Sequence, residues 1–375
     1  MNRIILIGNG FDLAHGMKTS YKDFILDYLR TSISIAKEVG RFEDLLIRIT
    51  KRENFITPEN LNKNIAEWEI KDIMRLKESP NIPITNLTLP TNEKCEFSIL
   101  IKTEFLDIIL NFCDNFNWVD VENEYYNLLC TFSNKKKIRE IKELNKQFQF
   151  IQDLLQIYLV KIEELFLNKD SSYFRRIPLS EQLTQKLYNN KIENKPESIL
   201  FLNFNYTSTI EDYLLDIKNT IPNTKIINIH GKLSDKTNPM IFGYGDEDST
   251  DFETLEKYNE CLEFVKTYRY LRTHNYQKLL EFIDSNEYDV IIMGHSCGLS
   301  DRTLLSEIFN NNQCKSIRVL TYNKMSSSPF CVENSDYIEK TYSIGRIFKK
   351  KGNLRRKLLP FELNDLLQVT RIHTL

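Results

Sequence analysis

An α/β fold, a mostly parallel sheet interrupted by a large all-helical insertion, is what this 375-residue sequence predicts. Three observations predict it. Short, nearly continuous apolar runs rich in β-branched residues occur at Arg3–Ile7 and again after Pro196, with helical stretches between most of them. Strands buried on both faces of a sheet read this way. From about Leu29 to Lys195 the apolar period changes to three or four residues, the period of a helix face. Gly 11 and Pro 10 together make about 6% of the chain against a usual ~12%, so tight turns are scarce and long helices dominate.

Taken in order, Arg3 to Gly16 (RIILIGNGFDLAHG) predicts a buried strand, a turn at the glycine pair and a helix. Within the insertion, Ile138, Ile141, Leu144, Phe148, Ile151, Leu155, Tyr158, Ile162 and Leu165 keep helical spacing, which predicts one long helix over Lys137 to Phe166. Glu78 to Lys94 holds three prolines among polar turn formers and predicts an irregular loop. Strands return at Ile199–Asn203, Lys225–Ile229, Pro239–Phe242, Tyr288–Met293 and Ser316–Tyr322. The expected division is a Rossmann-like nucleotide-binding core of residues 1–30 and 196–330, a helical insertion of residues 31–195, and a basic C-terminal extension of residues 331–375 packing on the core.

Composition narrows the functional classes. Hydrophobic residues at 41% and charged residues at 27% exclude an intrinsically disordered chain. Fifty basic against fifty-two acidic side chains argue against a protein-wide nucleic-acid footprint. The exception is local: Arg346 to Lys357 carries seven Lys or Arg in twelve positions, either a solvated face or a surface for nucleic acid or a partner. Seven scattered cysteines without a CxxC pair read as reduced thiols, with no structural zinc or other metal expected. The apolar run Ile4–Ile7 is too short for a signal segment and no stretch reaches ~18 apolar residues, so a cytoplasmic protein with no membrane contact is expected. The long helix serves either as a buried intramolecular face or as the seam of a homo-oligomer.

Parallel sheets bind ligands at the carboxyl ends of their strands, so the loops there hold the candidate residues. In Gly8-Asn9-Gly10-Phe11-Asp12, glycines without Cβ atoms let backbone N–H groups approach an anion, although Leu13 stands where a dinucleotide fingerprint has its third glycine. In Phe204-Asn205-Tyr206-Thr207, either Asn205 or Thr207 suits the N-cap of the next helix. His230-Gly231 puts a histidine at a strand end, where general bases are placed. The fourth loop, Gly294 to Asp301 (GHSCGLSD), contains GxSxG, the nucleophile elbow of serine hydrolases; the sole histidine after Ser296 is His373, which leaves a Ser-Asp-His order poorly served. Its glycines and hydroxyls suit a phosphate or ribose, with Asp301 capping the following helix.

The run IGNGFDLAHGMKTSYKDF (Ile7 to Phe24) resembles the opening signature of the AbiH abortive-infection family of bacterial antiphage proteins. LNFNYTSTIE (Leu202 to Glu211), NIHGKL (Asn228 to Leu233), IFGYGDE (Ile241 to Glu247) and GHSCGLSD follow in the family's order, and Trp118-x-Asp120-x-Glu122, at a helix start in the insertion, also resembles the family. More distantly, the order is similar to sirtuin-like NAD-binding domains of antiviral defence. That likeness implies NAD as substrate, catalytic roles for Asn205 and His230, and a dinucleotide lined by Gly8, Asn9, Gly10, Phe11, Asp12, Gly294, Ser296 and Asp301. Thr207 replaces the usual Asp, and the four-cysteine zinc module of deacylating sirtuins is missing, which turns the expectation from deacylation to hydrolysis. In that reaction the cationic pyridinium leaves as neutral nicotinamide, so the enzyme must position water, hold the ribose hydroxyls and accept a proton near neutral pH. A non-catalytic nucleotide sensor answering a phage-derived trigger is the reading of a different class.

Overall fold

The computed structural model describes residues 1–51, 69–74, 76–77, 97–111, 118–167, 196–247, 249–324 and 328–367. The predicted loop Glu78–Lys94, together with Cys95, Cys113 and His373, lies outside the described residues. The chain forms two compact units, one of Met1–Thr19 with Leu159–Leu375 and one of Ser20–Tyr158.

The first unit is built on a five-stranded, all-parallel sheet of β1 (Asn2–Ile7), β5 (Ile199–Asn203), β6 (Thr224–Asn228), β7 (Tyr288–Met293) and β8 (Cys314–Leu320), in the order β6-β5-β1-β7-β8. This is the doubly wound, Rossmann-like order, in which the chain turns back at the central strand and leaves a switch point between β1 and β7. The apolar strands are buried on both faces, as their sequence predicts: Ile4, Leu6, Leu200, Leu202, Val290 and Ile292 face one core, and Ile5, Ile7, Phe201, Ile291 and Met293 face the other. Helices Asn275–Ser285, Arg302–Asn310 and Tyr337–Ile347 contribute to the first core, and helix Leu214–Thr220 to the second. A buried ion pair of Arg3 and Asp289 (2.8 Å) joins β1 to β7 near their amino ends.

The outer edge of β8 is covered. Leu359 N–H donates to the Ile317 carbonyl (2.9 Å), Thr321 N–H to that of Asp365 (2.8 Å), and Leu367 N–H to that of Thr321 (2.6 Å). Arg318, 4% exposed, donates to Asp365 (2.9 Å) and Glu362 (3.1 Å) and pins the segment in place. Unpaired edge strands invite intermolecular pairing, and this segment blocks it.

Pro239–Phe242, predicted as a strand, is not one. Proline has no N–H to donate, and Ile241 N–H bonds to the His230 carbonyl (2.7 Å) in an isolated contact rather than a ladder.

In the second unit, helix Tyr21–Val39 starts at Ser20, whose hydroxyl accepts from Asp23 N–H (3.1 Å), and ends at Gly40 with φ 86°. The helical insertion also holds a three-stranded antiparallel sheet of β2 (Arg41–Glu43), β3 (Ile47–Lys51) and β4 (Phe97–Ile101), so it is not all-helical. Asp44 shapes the β2–β3 turn by accepting from Leu46 and Ile47 N–H groups at 2.8 and 2.9 Å. Helices Glu104–Asn111 and Trp118–Asn134 and the first part of Ile138–Leu167 share an aromatic core in which Phe148 stacks on Tyr125 at 4.0 Å. The long helix thus spans the segment its periodicity predicts, and Trp118 packs on the rings of Tyr21 and Phe24.

Candidate functional site

The loops after β1, β5, β6 and β7 meet at the carboxyl edge of the parallel sheet. The first and last of them touch backbone to backbone. Gly10 N–H donates to the Gly294 carbonyl (2.9 Å) and Gly8 N–H to that of Met293 (3.1 Å). A Cβ on Gly8 would stand 2.5 Å from the His295 Cα, and one on Gly294, where φ is 75°, would stand 2.2 Å from the Phe11 nitrogen. The glycines therefore serve close loop packing at the switch point, and the two N–H groups are committed within the protein. Phe11 is fully buried against His15 and Tyr213, and the Asn9 side chain accepts from the Thr19 hydroxyl at 2.6 Å.

Asp12 is buried at this junction. Thr207 Oγ1 donates to its Oδ2 at 2.6 Å, while Oδ1 has no hydrogen-bond partner among the described residues. Burial pushes its carboxyl up to about 6 against the pull of Thr207, Thr209 and Asn205. The Asn205 loop is shaped by Asn203, whose Oδ1 accepts from Asn205 N–H (3.1 Å) and whose Nδ2 donates to the Thr207 carbonyl (3.3 Å) and to Asn228 Oδ1 (2.9 Å). Asn205 Nδ2 donates to the Gly8 carbonyl at 3.1 Å, bridging β5 to β1. Neither Asn205 nor Thr207 caps a helix. The next helical turn, Thr209–Tyr213, begins at Ser208, whose N–H and hydroxyl both donate to Glu163 at 2.7 Å.

Beside this junction lies a buried charged cluster around Asp301. Lys266 Nζ donates to its Oδ1 at 2.7 Å, His230 Nε2 lies 3.1 Å from the same oxygen, and His295 Nε2 lies 3.5 Å from Oδ2. The lysine is only 1% exposed. Burial would raise the Asp301 carboxyl, but Lys266, then His230 and His295, hold it well below the usual carboxylate range. Asp301 therefore anchors the cluster, and its side chain does not cap helix Arg302–Asn310 as its position suggests.

The two imidazoles have defined orientations. Cys297 N–H donates to His295 Nδ1 (3.0 Å), so His295 turns a protonated Nε2 toward Asp301. His230 Nε2 also lies 3.0 Å from the Tyr270 hydroxyl. An ionised Asp301 cannot donate, so Nε2 carries the proton and Nδ1 keeps its lone pair, with no partner among the described residues. Burial first and then Lys266 lower the His230 pKa despite Asp301, and the ring is neutral at pH 7. The Phe204 ring, adjacent in sequence to Asn205, stands 5.1 Å from the His230 ring and 4.1 Å from that of His295, which brings the two predicted catalytic loops side by side.

Ser296 is exposed, and the strained residue of its turn is the next one, Cys297, with φ 55°. A nucleophile elbow strains the nucleophile itself. The Cys297 thiol, pushed up to about 12 by burial, stays protonated. Among the described residues no group of three or more His, Cys, Asp or Glu is arranged to hold a metal ion, and no helix is long and apolar enough to cross a membrane.

Sequence reasoning missed Lys266, Tyr270 and His295. Lys266 and Tyr270 lie in helix Lys266–Tyr270, for which no strand or loop pattern gave a signal. His295 stands inside the GxSxG run, where the neighbouring serine drew the reading.

Fold and site together define an α/β protein with a doubly wound sheet and a buried histidine–aspartate–lysine cluster at its carboxyl edge. Residues 4–323 match the family described as Bacteriophage abortive infection AbiH, and the chain belongs to that family of antiphage proteins. No curated protein matches the chain.

Proposed function

We propose that this protein acts in abortive infection, in the cytoplasm, as a sirtuin-like hydrolase of the nicotinamide–ribose bond of NAD, released by a phage-derived trigger. The observation that carries the reading is the neutral His230 with Nε2 on Asp301 and Nδ1 unpartnered, one loop away from Asn205. In this account water adds to C1′ of the ribose, nicotinamide leaves with the bonding electrons as a neutral base, and Nδ1 accepts the proton of the water. Asp301 then steadies the imidazolium, as a buried carboxylate does beside other catalytic histidines. The amide of Asn205 orients the water or a ribose hydroxyl, and Asp12, ionised above about pH 6, faces the positive charge that develops on the sugar. With the Gly8 and Gly10 N–H groups committed elsewhere, the pyrophosphate is held outside the Gly8–Gly294 contact, by Ser296 and the exposed rim.

A second reading, nucleotide binding without turnover, draws on the mutual pairing and burial of Lys266, Asp301, His230 and His295, which suits a structural ion cluster equally well. Incubation of the purified full chain with NAD separates the two. Hydrolysis yields free nicotinamide and ADP-ribose in equal amounts, and His230→Ala and Asn205→Ala each lower the rate by roughly 10² to 10⁴ without loss of fold. NAD binding with no nicotinamide would select the sensor, and unaltered rates in either variant would remove that residue from the chemistry.

A further inference from the structure

The basic run Arg346–Lys357 packs beside β8 but makes no backbone pair with it among the described residues. It covers the end of helix Tyr337–Ile347, a turn, and helix Lys351–Lys357. Two of its cations are used internally. Lys357 Nζ donates to the carbonyls of Phe309 (2.9 Å) and Asn311 (2.7 Å) at the end of helix Arg302–Asn310, and Lys351 Nζ donates to that of Gly345.

Arg346, Lys350, Arg355 and Arg356 are exposed and have no carboxylate partner among the described residues. Nearby acids are already paired: Glu339 with Lys324, Asp336 with Lys340, and Glu362 and Asp365 with Arg318. Glu333 is the one carboxylate of residues 328–367 left without a cation. The two helices meet where Gly345 faces Leu354, and the four free cations lie on this packed pair and the turn that joins it.

A second, independent feature adjoins them. Tyr342 is 62% exposed and Ile338 is 41% exposed. With Arg346 they follow at four-residue steps, which lines all three along one face of the helix. An open tyrosine one turn from a free guanidinium is the pairing that stacks a base while the cation meets its phosphate.

From this surface we infer a binding site for single-stranded nucleic acid, with Arg346, Lys350, Arg355 and Arg356 on phosphates and Tyr342 beneath a base. Duplexes offer the same phosphates but keep their bases stacked, and an acidic peptide has no use for the tyrosine, so the aromatic selects the single strand. The inference is independent of NAD cleavage.

Fluorescence anisotropy of the full chain with labelled oligothymidylate, oligouridylate and a duplex tests it. Single strands bind more tightly than duplex, the preferred homopolymer identifies DNA or RNA, and four phosphate contacts weaken binding about 50-fold from about 50 to about 200 mM salt. Tyr342→Ala lowers affinity about 5- to 150-fold with the salt dependence kept. Arg355→Glu with Arg356→Glu removes two of the four contacts and about halves the salt slope, leaving a loss of about 7-fold over the same range, while Arg355→Lys with Arg356→Lys preserves it. All these positions are exposed, and an unchanged thermal midpoint verifies each fold. Absence of binding at low salt, equal affinity for duplex, an unaffected Tyr342→Ala, or displacement by polyglutamate as effective as by oligonucleotide would each overturn the inference.

Discussion

Asp12 is a carboxylate kept where the fold pays for its charge. Its folded pKa of about 6 lies above the unfolded value of 3.8, so folding favours the protonated form. The sign follows: the protein is most stable with respect to this group below about pH 4, and that advantage is lost as pH rises through about 6, a change of about 3 kcal/mol. Asp12→Asn removes the titration. The unfolding free energy of the parent, measured against that of the variant by urea titration, should fall by about 2 to 2.5 kcal/mol between pH 4 and pH 7.5. A constant difference between the two proteins across that range would show that Asp12 is not held protonated by burial. Asp301 behaves oppositely. Its depressed pKa gives stability that is present above the unfolded value and disappears as acid titrates it.

At the scale of elements, the strip of chain along β8 depends on Arg318. Burial raises the Asp365 carboxyl, and the guanidinium opposes that shift. Arg318→Ala leaves a buried acid without its cation, and should cost about 3 to 5 kcal/mol at pH 7. The loss should shrink in mild acid, where Asp365 takes a proton instead, and urea midpoints at the two pH values read the contrast. Equal losses at both would mean that packing, not charge, holds the edge. The elements also show where sequence suffices. Strands β1, β5 and β7 were legible because burial on both faces writes unbroken apolar runs such as Ile199–Asn203, and the long helix because one stripe of it is buried. β3 was lost because Ile47-Arg48-Ile49-Thr50 alternates over only a few residues inside a helical region, and Pro239–Phe242 was misread because an apolar run says nothing of whether a partner strand exists.

For the molecule as a whole, the order of motifs along the chain revealed the family and the sheet, yet not the electrostatics of its edge. Gly8, Asp12, Asn205, His230 and Asp301 come from four separate loops that only the strand order brings together. Lys266, which fixes the charge of Asp301, reaches them from a short helix without a signature. The position of Asp301 before a helix suggested a cap, because capping is a local property, whereas its three cationic or imidazole neighbours are 71, 35 and 6 residues away in sequence.

In the proposed reaction a neutral His230, poised by Asp301, accepts a proton as NAD is cleaved. The pH dependence of nicotinamide release by the full chain tests it most directly. The rate should be level around neutrality, decline in acid with a midpoint below 6.5 as His230 becomes protonated, and be lost in His230→Ala. Release that persists undiminished in His230→Ala, with the same acid limb, would contradict it.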